Sequence, residues 1–391
     1  MLNFIFGRSG YGKTEYCFSE IKRLVMLGNE NILLLTPEQY NFTAEKRLLS
    51  MLGESRINSV QNLSFTRLSN ELKRLYGGES LPVLSKGAKA VLMKKAIDSV
   101  REELSVFFNK TQMASFIRSM TDIYDEMRSC DKSAEEIRTA AANIDKKLLS
   151  GKLSDISLIM DKYEELTRGI YLDPAEEFQR LYVKLEDTHY LEGKTVFIDG
   201  FNGFVANELK ILDLMIKQCE TVYITLATDT FGKKDDYSLF AYIDKTAASL
   251  SAIAESNGVK INMVHLKSNR RTADRFLSAC EKNLYSAAPA VISEKPDSIS
   301  IYKAKDISDE CSYTALMIKK LLRKGFRARE TAVICRDAEK YRNELSYAFR
   351  KYEIPFFDDE RQSISSQPVI VFVTYLLRCA AYSMRSDDVL S

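Results

Sequence analysis

Gly7-Arg8-Ser9-Gly10-Tyr11-Gly12-Lys13-Thr14 completes the pattern G-x-x-x-x-G-K-[ST] near the start of the 391-residue chain. Its surroundings constrain the fold further. Leu2 to Phe6 is a short apolar run of the kind that forms a buried strand, and Cys17, Ile21, Leu24 and Val25 recur at the spacing of one helix face. Strand, glycine loop and helix in that order form a phosphate cradle. The glycines let backbone N–H groups converge on phosphate oxygens, and the helix N-terminus adds partial positive charge. Lys13 supplies a cation for the β- and γ-phosphates, and the Thr14 hydroxyl is placed for Mg²⁺. The expected ligand is therefore a nucleoside triphosphate, with all eight residues from Gly7 to Thr14 as binding candidates.

Composition narrows the remaining chemistry. There are two histidines, His189 and His265, so hydrolytic triads and histidine-rich metal sites are disfavoured. The seven cysteines stand singly and odd in number, without a C-x-x-C pair, which argues against a disulfide framework, a zinc site or an iron–sulfur cluster in these residues. A formal net charge of +2 neither demands nor excludes nucleic acid. The start of the chain lacks the charged and apolar regions of a signal peptide, and no apolar stretch approaches a membrane span. A cytoplasmic protein with no membrane partner is expected.

Along the chain, strand and helix patterns alternate first. Asn31 to Leu35 and Ile57 to Leu63 read as strands, each followed by a helical pattern, through Leu52 and Leu72 respectively. From about Leu81 the texture becomes helical and highly charged: 86–103, 110–128, 133–143, 153–168 and 174–185. Strand patterns return at Val196 to Ile198 and Val222 to Leu226, around a helix over 208–216. A parallel sheet interrupted by a helical insertion accounts for that order. Domain boundaries are expected at 1–80 with 191–285 for the sheet domain, 81–190 for the insertion and 286–298 for a linker containing Ala288, Pro289 and Pro296. A second α/β unit is expected from 299, with strands at Ile299 to Lys303 and Thr331 to Cys335 and helices at Asp309 to Leu322, up to Tyr352 and over Val369 to Leu377. Ending at Ser391 without a closing strand, that unit reads as the beginning of a larger domain.

A phosphate loop of this kind needs an acid at the end of a nearby strand to hold Mg²⁺. Asp199, which ends the apolar run Val196-Phe197-Ile198, meets that need, giving Thr14 and Asp199 as the metal-side candidates. The loop, the helical insertion and then the acidic strand resemble the first motor domain of superfamily 1 helicases, a RecA-like P-loop NTPase fold. More narrowly, the chain is similar to the N-terminal part of the AddB/RexB-type family of ATP-dependent helicase/deoxyribonuclease subunits. The residues carrying this are Gly7 to Thr14, Leu34-Leu35-Thr36-Pro37-Glu38-Gln39 with Phe42 to Glu45, Leu63 to Leu68, and Val196 to Phe204. Val333 to Arg336 with Tyr341 and Tyr352 to Asp358 extend it across the second unit.

The resemblance implies ATP and Mg²⁺ as cofactors and DNA, single-stranded and at duplex ends, as a partner. Thr36, Gln39, Phe42, Phe65 and Arg67 fall in segments that touch the single-strand backbone in such helicases. Side-chain donors suit phosphates and phenylalanine rings suit bases, although core packing explains either phenylalanine equally well. Leu266, Asn269, Arg271 and Thr272 fit the pattern L-x-x-N-x-R-[ST], where an arginine faces the γ-phosphate; Arg270 beside it leaves the register open, as does a plain surface arginine pair. An AddA-type motor and nuclease subunit is the implied heterodimer partner. The nuclease domain and its iron–sulfur cluster are expected beyond Ser391. The family role is processing of double-strand breaks for homologous recombination, including scanning for a Chi-type hotspot.

Departures from the motor pattern are equally informative. The glutamate that follows the acid in active motors is replaced by Gly200, so no catalytic base is assigned. The adenine-reading glutamine segment before the loop has no room, and the Asp-x-x-Gln-Ser coupling motif is missing around Asp229 to Phe240. A degenerate motor that binds nucleotide and DNA follows from these losses. Two other classes also accommodate the loop, a P-loop kinase for a small molecule or nucleotide and a non-catalytic scaffold. The kinase reading leaves the helical insertion and the second unit unexplained, and failure to detect any nucleotide binding would favour the scaffold.

Overall fold

The computed structural model describes residues 1–391 apart from 79, 230, 232–238, 287, 359–363, 382–383 and 385–391. The chain forms two compact units, Met1–Ser298 and Ile299–Ser391. The first opens with β1 (Leu2–Phe6), α1 (Lys13–Met26), β2 (Ile32–Leu35), α2 (Asn41–Leu52), β3 (Val60–Leu63) and α3 (Phe65–Tyr76). The helices α4 (Lys86–Ser99), α5 (Ala114–Ser129), α6 (Ala134–Ala142), α7 (Lys147–Thr167) and α8 (Glu177–Thr188) follow. The sheet then resumes with β4 (Thr195–Ile198), α9 (Ala206–Gln218), β5 (Thr221–Leu226), α10 (Ala241–Ser256), β6 (Ile261–His265) and α11 (Arg275–Asn283).

The six strands pair in the order β3-β2-β4-β5-β1-β6, all parallel. Parallel sheets are buried on both faces, which explains why β1, β2 and β4 are uninterrupted buried runs rather than alternating ones. Successive side chains point to opposite faces. Phe4, Leu33, Leu35, Val196 and Ile198 meet α3, α8, α9 and α10 on one side. Ile5, Ile32, Leu34 and Phe197 meet α1 and α2 on the other. Because every strand runs the same way, every carboxyl end lies along one edge. The register Leu35↔Leu63, Leu35↔Ile198 and Phe6↔Leu226 brings the segments after β1, β2, β3, β4 and β5 together there. Ligands of open α/β sheets bind along that edge.

The α4–α7 helices close a separate core around Met93, Ile97, Met120, Tyr124, Ile159 and Tyr163. A buried ion cluster sits within it. Lys89 Nζ lies 2.7 Å from Asp173 Oδ1, is also paired with Asp125, and faces the Tyr124 ring at 4.9 Å. The Tyr163 hydroxyl donates to Asp173 Oδ2 at 2.6 Å. Lys89 and Asp173 are both buried, so removing one leaves the other charge unpaired in a poorly solvated place. Lys89→Ala is expected to lower unfolding stability by about 3–5 kcal/mol, read as a shifted urea midpoint. An unchanged midpoint would mean the cluster is dispensable.

The second unit contains α12 (Ile307–Arg323), α13 (Ala338–Lys351) and α14 (Pro368–Ala381). Cys311, Ala315 and Ile318 of α12 pack against Ala348 and Phe349 of α13 and against Ile354. Three elements depart from the sequence reading. Ile299 to Lys303 and Thr331 to Cys335 form no strand, and Ile301 and Ile334 are 96% and 94% exposed. An apolar β-type pattern becomes a strand only when a neighbour takes its backbone hydrogen bonds, and among the described residues of this unit none does. The strand expected from Ile57 begins at Val60, after a 3₁₀ turn over Ile57–Ser59. Residues 241–283, unassigned from the sequence, supply α10, β6 and α11. Much of the segment in which the coupling motif is missing, residues 230 and 232–238, lies outside the described residues, as does the chain end at Ser391.

Candidate nucleotide site

The loop between β1 and α1 turns through two left-handed glycines, Gly10 (φ 86°) and Gly12 (φ 89°), a region that side chains other than glycine rarely enter. Gly12 is the N-cap of α1 and has no side chain to cap it, so the first N–H groups of the helix point into the loop without a side-chain acceptor. The Lys13 ammonium folds back over the loop, donating to the carbonyls of Gly7 (2.8 Å) and Arg8 (2.9 Å). Burial pushes the Lys13 pKa down; the Asp199 charge opposes this and the Arg271 charge adds to it.

Asp199 stands at the end of β4, one strand away from β1 because β5 lies between them. The intervening strand holds it: Thr225 Oγ1 donates to Asp199 Oδ1 at 2.7 Å. Asp199 Oδ2 is buried and has no hydrogen-bond partner among the described residues. A buried carboxylate oxygen with nothing to accept is costly unless something completes it. A cation such as Mg²⁺, which takes oxygen ligands and keeps waters, matches that donor. Thr14 in the first turn of α1 and Asp199 are the residues that would hold it, together with nucleotide phosphates.

The segment 266–272 crosses the loop. A Cβ on Gly7 would lie 2.6 Å from the Leu266 carbonyl oxygen. On Gly10 it would meet Arg271 Cβ at 3.0 Å, and on Gly12 it would meet Arg270 Cδ at 3.0 Å. The Arg270 N–H donates to the Gly10 carbonyl (2.8 Å), and Asn269 Oδ1 accepts from the Arg271 N–H (2.8 Å), fixing the turn. Arg8 offers its carbonyl to Lys13, while its side chain is engaged at the flank. Its guanidinium pairs with Asp229 and donates to the Glu281 carbonyl at 3.0 Å, anchoring the loop to its flank. Tyr11 is buried, with its hydroxyl 3.5 Å from Glu281 Oε2, while Ser9 is exposed at the tip.

The second group of expected contacts divides. Gln39 and Phe42 are exposed, Phe42 at 74%. Arg67 is exposed and paired with Glu45 at 2.8 Å. Thr36 and Phe65, expected to touch DNA, both have buried side chains. The Thr36 hydroxyl is fully buried and donates to Asn41 Oδ1 at 2.9 Å, pinning the turn that displays Gln39 and Phe42. The Phe65 ring is 5% exposed and packs edge-on against Phe178 and Phe201. The first position of α3 points inward because Ser64 caps that helix, accepting from the Arg67 N–H at 3.2 Å.

The two segments meet at one point. Gly200, immediately after Asp199, has φ 86°, and a Cβ there would lie 3.3 Å from Pro37 Cδ. Thr225 and Arg270 are the residues around the loop to which the sequence gave no role, and Asn269 entered only as a member of the L-x-x-N-x-R-[ST] pattern. Thr225 shows only as a polar residue in an otherwise apolar strand, and Arg270 only as an ambiguity of register.

The family described as ADDB, N-terminal, matches residues 4–281, and a UvrD-like helicase C-terminal domain matches residues 264–386. A protein named as a subunit of an ATP-dependent helicase/deoxyribonuclease, from Clostridium acetobutylicum, is 30% identical over 383 residues, covering 96% of this chain and 33% of its own length. Proteins of the same name are 31% identical over 383 residues in Thermoanaerobacter sp. (96% and 33%) and 32% over 381 residues in Caldanaerobacter subterraneus (95% and 33%). The chain thus spans about a third of the length of the curated relatives it matches.

Proposed function

The chain belongs to the ADDB N-terminal family, and from that premise we propose that it is the ATP- and DNA-binding, helicase-like part of a helicase–nuclease that acts on double-strand DNA ends in homologous recombination. The observation that carries the nucleotide half is the glycine loop with Lys13 folded over it and Arg271 against Gly10, at the carboxyl edge of a sheet where a buried Asp199 oxygen stands unpartnered. Loop amides and Lys13 bind phosphates, Thr14 and Asp199 hold the Mg²⁺, and Arg271 balances charge at the third phosphate. When bound, Mg²⁺ neutralises phosphate charge. In this reading residues 1–80 with 191–285 form the first RecA-like domain, 81–190 its insertion, 286–298 a linker and 299–391 the start of a second RecA-like domain. An AddA-type partner would supply the working motor, the assembly would be cytoplasmic, and nuclease and iron–sulfur chemistry would belong to the remaining length that the relatives possess. Titration with MgATP tests the nucleotide half, and absence of binding at millimolar nucleotide would refute it.

The DNA half rests on the turn after β2. Gln39, Phe42 and Arg67 display a hydrogen-bonding group, a ring and a cation on one side of the sheet edge, which suits a single strand scanned for a hotspot. Phe42→Ala is expected to weaken binding of a fluorescent single-stranded oligonucleotide about ten-fold. Gln39→Ala with Arg67→Ala should add to that loss and flatten the salt dependence, while MgATP affinity stays constant. Unchanged DNA affinity in these variants, with loss on substituting charged residues of α4–α8, would move the DNA path to the insertion.

A further inference from the structure

Arg270 is held beside the helix N-cap by bonds that have nothing to do with its side chain. Its N–H is fixed to the Gly10 carbonyl at 2.8 Å, and the following turn is closed by Asn269. The side chain then lies across Gly12, with Cδ, Nε and Nη1 at 3.0, 3.5 and 3.6 Å from the position a Cβ would take on that glycine. Its guanidinium makes no hydrogen bond or ion pair with another side chain among the described residues. Arg8, by contrast, is neutralised by Asp229 and Glu281.

This placement sets an exposed guanidinium against the local charge. The N-terminus of α1 already carries partial positive charge, and Lys13 stands at its first position. A guanidinium set over the same N-cap adds like charge where a carboxylate would be expected. The arrangement becomes favourable once an anion with several oxygens sits on the first turn. A guanidinium, planar and rich in donors, suits phosphate oxygens better than a lysine would.

We propose that Arg270 is a second phosphate-binding residue, clamping the phosphate seated on the first turn of α1, the one that nucleoside di- and triphosphates share. It is distinct from Arg271, which stands over Gly10, two residues earlier in the loop. Gly12 is required for its left-handed backbone, and the absence of a side chain there leaves Arg270 free to lie against it. The inference rests on the nucleotide reading above.

Calorimetric titration of the full chain with MgATP and with MgADP tests it. Arg270→Ala is expected to weaken both about ten-fold and by the same factor, the scale of one lost charge-assisted hydrogen bond. Arg270→Gln, which keeps the stem and loses the charge, should match it, and Arg270→Lys should recover part of the loss. Melting temperatures without nucleotide should not move. Unchanged or tighter binding by Arg270→Ala, or a loss confined to MgATP, would overturn the clamp while leaving the loop reading intact. Should Lys13→Ala bind as well as the parent chain, the loop reading and the clamp fall together.

Discussion

Lys13→Ala is expected to abolish nucleotide binding at concentrations where the parent chain saturates. The ammonium is partly buried over its own loop, where it donates to the Gly7 and Arg8 carbonyls. Truncating one member of a desolvated charge pair costs about 2–5 kcal/mol, or roughly 30-fold to several thousand-fold in affinity. The apo fold should tolerate the change, since the side chain is bonded only to carbonyls of the loop. The pH dependence has a definite sign. Burial depresses the Lys13 pKa, so the folded chain releases this proton at lower pH than the unfolded chain. As pH rises through the window between the depressed value and the ordinary lysine value, stability should increase and MgATP affinity should decrease. Lys13→Ala should remove both trends. An affinity that held constant across that window would show that Lys13 does not meet the phosphates.

Hydrolysis is expected to be slow, and restoring the missing acid should not rescue it. Without a residue to position or deprotonate water, turnover falls by about 10²–10⁴. In the proposed reading Gly200 takes the place where active motors carry a glutamate, yet it is more than an absent side chain. At φ 86°, with Pro37 Cδ 3.3 Å from any Cβ, the backbone has turned into a conformation that penalises side chains. Gly200→Glu should therefore cost about 1–3 kcal/mol of stability and leave single-turnover hydrolysis near the parent rate. The same substitution should disturb DNA binding, because Pro37 begins the turn that displays Gln39 and Phe42. A Gly200→Glu chain that hydrolysed ATP at several turnovers per second with single-stranded DNA present would refute this reading.

Much of the nucleotide site was legible because its chemistry is local. A phosphate cradle needs glycines at fixed offsets, a lysine and a hydroxyl in consecutive positions, and all of these lie in one eight-residue segment. Asp199 was legible because a charged residue closing an apolar run has few other reasons to be there. The strand order was not, since Asp199 reaches the loop only across β5 and is oriented by Thr225 from that strand. Thr36 and Phe65 show what residue type alone does not reveal. Donor type and aromatic character suggested contact with DNA, while burial assigns one to pinning a turn and the other to the core. In the second unit, β-type patterns at Ile299 and Thr331 did not become strands, because pairing is a property of neighbours.

By itself, the sequence determined the glycine loop, the buried parallel strands, the run of helices between them and the acid that closes β4. Each of these is written in a contiguous pattern whose physics acts over a few residues. Only the tertiary structure decided that 266–272 crosses the loop, that Arg270 lies over Gly12, and that Gly200 abuts Pro37. Those contacts join residues more than a hundred positions apart, and such distances close only when parallel strands bring their carboxyl ends to a common edge.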